Sequence, residues 1–196
     1  MFEKKLLILL ILFSSIITKS FSIEPDVFVQ STVNRASTLL AENISKDQKI
    51  EKLKLIAKET VDIRGIGFYT LGSKRKSLNE TDKNQYIKLF EKYFLITFSS
   101  RLAEYTNPEI EVTNKEKLSE NYTIVNSTLK ATSERPEIKI DWRIYTKDPD
   151  NPLIRDLIIE GLSLARTQKE EFASILNSNN GDIKALFKVL EEFSNK

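Results

Sequence analysis

The stretch Ile138–Phe172, IKIDWRIYTKDPDNPLIRDLIIEGLSLARTQKEEF, decides how this chain folds. Ile138, Ile140, Trp142 and Ile144 alternate with Lys139, Asp141, Arg143 and Tyr145. That two-residue period predicts a strand with one apolar face and one largely charged face. Pro149 and Pro152, with Asp and Asn between them, break the pattern and set a loop. Leu153 to Leu164 is then apolar on both faces apart from Arg155, Asp156 and Glu160, which predicts a second strand covered on both sides. Gly161 lies inside it. Either it marks a bulge, or the strand is plainly packed. A bulge would place Leu162 on the face of Leu157 and Ile159 and turn Asp156 and Glu160 away.

Moving upstream, the same period holds from Ile110. The segment IEVTN is a short strand, and Asn121–Thr132 is a longer one rich in Thr, Val and Ile. Glu134-Arg135-Pro136 turns the chain into the Ile138 strand. Four strands joined by short connections predict an antiparallel meander. Downstream, Thr167-Gln168-Lys169-Glu170 has the form of a capping box, so a helix is expected there with Phe172, Ile175 and Leu176 buried. Asn179-Asn180-Gly181 stops it. A last helix carries Ile183, Leu186, Phe187, Leu190 and Phe193 on one face.

The first half reads as helices. Glu24-Pro25-Asp26 starts one whose stripe is Val29, Val33, Ala36 and Leu40; a second spans about 46–60. In VDIRGIGFYTLG, Asp62 suits an N-cap and Gly72 a stop, while Gly65 and Gly67 permit close packing. Lys74, Arg75 and Lys76 follow in a loop. A solvated loop is the ordinary reading, and a headgroup or partner contact the sharper one. The longest helix runs from Thr81 to about Tyr105, with Tyr86, Leu89, Phe90, Tyr93, Phe94 and Phe98 at helical spacing. Such a stripe suits either a packed core or the wall of an apolar cavity. Helices, then strands, then helices give an α+β class.

Composition excludes much. The 196 residues contain no cysteine and no histidine, which removes disulfides, thiol catalysis, His-based triads and the usual zinc ligand sets. Five glycines form neither a P-loop nor a dinucleotide fingerprint. Lys4 and Lys5, the apolar run Leu6–Phe13 and Ser20-Phe21-Ser22 predict a signal peptide over residues 1–22, leaving 23–196 as one exported domain in the periplasm. Without Lys4, Lys5, Lys19 and Glu3 the formal charge of +2 falls to zero, which argues against nucleic acid as a partner. The remaining catalytic candidates are Asp141, Asp156 and Glu160; solvated carboxylates paired with Lys139 and Arg143 are the ordinary alternative.

DLIIEGLSL, then RTQKEEFASIL, then NGDIKALFKVL resembles the C-terminal signature of the MlaC (toluene-tolerance auxiliary) family of periplasmic phospholipid-binding proteins. Asp156, Glu160, Gly161, Ser163, Glu171, Phe172, Gly181 and Asp182 match its pattern, and VDIRGIGFYTLG with YIKLFEKYFLITFSSRLAEY resembles the earlier region. The resemblance implies a four-stranded antiparallel sheet wrapped by N- and C-terminal helices, with an apolar cavity between sheet and helices. It implies a soluble monomeric carrier with phospholipid as cargo and no cofactor or metal. The implied partners are an inner-membrane ABC transporter with an MCE-domain subunit and an outer-membrane lipoprotein complex, acting to keep the outer membrane asymmetric. A two-chain lipid has ~30 methylenes, so leaving its tails in water costs ~25 kcal/mol at about 0.8 kcal/mol each. The tails must be enclosed. The expected lining is Phe90, Tyr93, Phe94 and Phe98 from the long helix, Ile140, Trp142 and Ile144 from one strand, and Leu157, Ile159 and Leu162 from the next. Two other classes stay open: a small cavity enzyme on apolar substrates with Asp141 or Asp156 as base, and a binding module with a dry core.

Overall fold

A computed structural model describes residues 22–194. The expected signal peptide, Ser22 apart, lies outside the described residues.

Helices α1 (Pro25–Ala41) and α2 (Lys46–Thr60) form as their stripes require. A reciprocal capping box between Ser45 and Gln48 opens α2. Helix α3 (Ile63–Thr70) is capped by Asp62, whose carboxylate accepts the Gly65 N–H at 2.7 Å. Residues 72–76 are a 3-10 turn rather than an irregular loop; it begins at Gly72, whose φ of 59° lies in the left-handed region. Helix α4 (Glu80–Leu102) is capped by Asn79, two residues before the expected Thr81-Asp82, because the Asn79 side chain takes the Asp82 N–H.

The sheet has five antiparallel strands in sequence order, one more than expected: β1 (Ile110–Ser119), β2 (Tyr122–Leu129), β3 (Ile138–Tyr145), β4 (Leu153–Ile159) and β5 (Leu162–Ser163). The predicted strand 153–164 is broken at Glu160-Gly161. Both have positive φ, 48° and 81°, so the chain reverses in a two-residue hairpin and Leu162–Ser163 pairs back on Ile158–Ile159. Gly161 is a turn residue, neither a bulge nor part of a plain strand. The bulge lies earlier: Ile144 pairs with Ile154 and Arg143 with Asp156, so Arg155 is the extra residue. Cross-strand register then puts Val125, Ser127 and Leu129 with Ile140, Trp142, Ile144, Ile154, Leu157 and Ile159 on one inner face.

Helix α5 (Leu164–Ser178) starts three residues before the expected capping box, with Ser163 as its cap, and α6 (Ile183–Ser194) follows. The main core lies between the inner face and α1, α3, α4, α5 and α6. Both sheet edges are guarded. The β1 edge carries Lys115, Glu116 and Lys117, whereas β4 is covered by β5 at one end and by a parallel bridge from Val61 to Ile154 at the other.

Candidate functional site

One strand face and two helices meet incompletely on the inner side of β3 and β4. Along α4, Phe90, Phe94 and Phe98 recur every four residues, so they stack along one flank. The Phe94 and Phe98 rings lie 5.2 Å apart and only 13° from parallel. Opposite them stand Trp142, Ile154 and Leu157. The space between is a cleft of about 660 Å³.

Six expected residues line this cleft: Phe90, Tyr93, Phe94, Phe98, Trp142 and Leu157. Ile140 and Ile144 share the inner face but are consumed by packing, at 8% and 0% exposure. Ile159 is half-buried and pairs with Leu162 across the hairpin. Leu162 itself is 60% exposed, because the turn at Glu160-Gly161 carries it back along the sheet edge. Neither reaches the cleft. Residues not expected there are Val61 and Ile66 at one end, Leu164 and Phe193, and a polar group made of Thr97, Arg101, Gln168 and Glu171. The signal for part of this group lay in the helical stripe, which continues past Tyr93 into Thr97 and Arg101 at steps of four. Phe193 sits on the apolar face of α6 as read from sequence, but it is 47% exposed at the cleft and edge-on to Tyr93 at 5.8 Å.

Hydrogen bonds brace the walls. Tyr93 donates its hydroxyl to Gln168 Oε1 at 2.8 Å, and Gln168 Nε2 donates to Glu171 at 2.8 Å, so α4 and α5 are tied across the cleft. Burial, with the Glu171 carboxylate nearby, pushes the Tyr93 phenol above its ordinary range and keeps it a donor. Trp142 donates Nε1–H to Ser127 Oγ at 2.8 Å, and Ser127 in turn donates to the Ile140 carbonyl at 2.9 Å. The ring is thereby tied to β2 with its polar atom satisfied.

Asp156 also borders the cleft, 4% exposed, yet its oxygens are engaged: one takes the Ser163 hydroxyl at 2.6 Å and the other the Ala165 N–H at 3.0 Å. It holds down the start of α5. Asp141 accepts from Asn126 at 2.8 Å, and Glu160 accepts the Lys139 N–H from the hairpin turn. The three carboxylates do not converge on a common point of the cleft. Among the described residues, no cluster of His, Cys, Asp and Glu could hold a metal ion. No described helix is long and apolar enough to cross a membrane. A second depression of about 850 Å³ runs between α1 and α2, with the Arg35–Glu59 ion pair among its walls; it reaches no part of the sheet.

Among the described residues, the helix-wrapped antiparallel sheet thus carries an aromatic cleft on its inner face, between β3, β4 and the helices. Residues 30–192 match the family model described as MlaC protein, and the chain belongs to that family. No curated protein matches it. Among solved structures it is similar to the phospholipid-binding protein from Ralstonia solanacearum in complex with a phospholipid. The two share 18% identity and a TM-score of 0.73, over 88% of this chain and 98% of the other. At that identity the likeness establishes a common fold.

Proposed function

We propose that this protein is a soluble periplasmic phospholipid carrier. It is exported by the segment 1–22 and holds acyl chains in the cleft between the sheet and α4. The observation that carries the reading is the cleft itself. Its 660 Å³ lie within the range of about 300–1,000 Å³ of small-molecule sites, and its walls are mainly Phe94, Phe98, Trp142 and Leu157, with the buried Phe90 where the cleft meets the core. Membership of the MlaC family and the likeness to a fold that holds phospholipid support it. Cargo is exchanged with an inner-membrane ABC transporter carrying an MCE-domain subunit and with an outer-membrane lipoprotein complex. That exchange maintains outer-membrane lipid asymmetry. Transfer is partition between apolar environments, without a chemical step or cofactor, by a monomer that has no use for nucleic acid.

The enzyme reading has less support, since Asp156 is committed to the start of α5 and Asp141 to Asn126. The test is solvent extraction of the purified protein followed by mass spectrometry. Near-stoichiometric diacyl phospholipid is expected. Phe94→Asp, which puts a charge on the cleft wall, is expected to reduce it more than ~10-fold while the circular dichroism spectrum is kept. Leu162→Glu, on the exposed hairpin, is expected to leave it unchanged. A lipid-free extract, with no uptake from vesicles, overturns the proposal.

A further inference from the structure

Six cations crowd the outer flank formed by α3, the 3-10 turn and α5: Arg64, Lys74, Arg75, Lys76, Arg166 and Lys169. The Arg64 and Arg75 guanidinium groups both face the Phe68 ring, at 4.9 and 5.4 Å from its centroid. Lys169 reaches across from α5 to the Tyr69 ring, 5.1 Å away, and its stem lies against Gly72. Arg166 is one turn before Lys169, and Lys74 extends toward Gly181. None of the six makes an ion pair among the described residues. Several cations elsewhere on the helices are paired instead. Arg35, Lys52, Lys54, Lys58 and Lys83 each face a carboxylate. Here Asp82 is already paired with Lys184 and Glu80 with Lys83, leaving Glu170 of α5 and Asp182, next to Gly181, to offset two of the six charges.

We propose that this flank docks the protein on the surface of a bilayer rich in anionic phospholipid, at a site separate from the cleft. The charges are spread over three elements rather than gathered in a groove, which suits an array of phosphates more than a single anion. Three of the six are Arg, whose planar fork matches phosphate oxygens. Between them sit Phe68 and the 43% exposed Tyr69, the latter an amphipathic ring of the kind that settles at headgroup depth.

The patch and the cleft use different flanks of α5. Thr167, Gln168 and Glu171 line the cleft, whereas Lys169 points to α3. Docking and cargo can therefore be tested apart. The experiment is flotation of the purified protein with phosphatidylcholine vesicles, with and without about 30 mol % phosphatidylglycerol. Binding is expected with the anionic vesicles at low salt, to be lost at high salt, and to be absent with neutral ones. At about fivefold per cation removed, Lys74→Gln/Arg75→Gln/Lys76→Gln should lower the partition coefficient ~100-fold and Arg166→Gln/Lys169→Gln ~25-fold. Lys54→Gln/Lys58→Gln, which removes paired cations, should change it less than ~3-fold. Bound lipid by mass spectrometry should stay at the wild-type level in every variant. Equal binding to neutral vesicles, or equal losses from the paired and unpaired cations, would overturn the proposal. Absence of vesicle binding by the wild type would also overturn it and assign the patch to an acidic protein.

Discussion

Helix α4 carries a single aromatic stripe through two environments. At its N-terminal end, Tyr86 and Phe90 are 0% and 1% exposed, each edge-on to Phe172 at 6.4 and 6.2 Å. Farther along, Phe94 and Phe98 stack on each other and face the cleft, half-buried. Residue type and spacing are the same in both halves. What differs is the opposite wall: Phe172 with the α6 side chains Leu186 and Leu190 fills the first, whereas Trp142, Ile154 and Leu157 stand back from the second. A hollow of this kind is made by what is withheld across the gap, not by a special sequence on the helix that lines it.

That contrast can be broken by mutation. Phe172→Ala removes the ring on which the solid half rests and should cost about 3–5 kcal/mol in chemical denaturation. Phe98→Ala deletes the same group from the cleft side, where little is packed against it, and should cost under about 1.5 kcal/mol while weakening lipid retention. Equal costs would mean that the two halves are packed alike. Tyr86→Phe sharpens the point within the solid half. It loses the bond between Tyr86 and Thr70 hydroxyls at 2.9 Å and should cost about 1 kcal/mol. Burial holds the Tyr86 phenol far above its ordinary 10, so the folded state favours the protonated form. Wild-type stability from this group is therefore present below pH 10 and declines as pH rises beyond it, and the Phe variant should lack that decline.

The smallest effect lies outside both halves and calibrates them. Lys115 of β1 binds Glu24 and Asp26 at the start of α1, at 2.6 and 2.7 Å, and this hydrogen bond holds the Asp26 carboxyl below its ordinary 3.8. A depressed carboxylate stabilises the fold above its unfolded pKa and loses that contribution as pH falls through the folded value. The pair is solvent-exposed, so Lys115→Met should cost about 0.5 kcal/mol near neutrality. The deficit should shrink as the pH of denaturation is lowered below 3.8.

Local physics made most elements legible in the sequence. The stripe Val29, Val33, Leu40, the alternation of Ile138–Tyr145 and the Asp62 cap all depend on residues near one another, and each appears as read. Misreadings fell where two local signals competed. Ser163 and Thr167 both begin cap-like patterns, and Ser163 prevails because its hydroxyl is already placed by Asp156 from β4. Gly161 is compatible with a bulge or a turn, and the preceding Glu160 decides for a turn by accepting a left-handed φ, where it can bond the Lys139 backbone. Leu162 was displaced from the expected lining by that same turn. Ile154 and Val61 escaped notice since their place depends on Arg155 being the extra residue, which no period in the sequence reveals.

Arg155 and Asp156 are successive residues, and the irregularity at Arg155 gives them divergent tasks. Arg155 clasps Asp62 at 2.6 Å, at the head of α3, while Asp156 anchors the first turn of α5. Two neighbouring helices that both border the cleft are thus pinned to one dipeptide. Any displacement of either helix would pull on the same point of the sheet, so α3 and α5 must yield as a coupled pair or hold together.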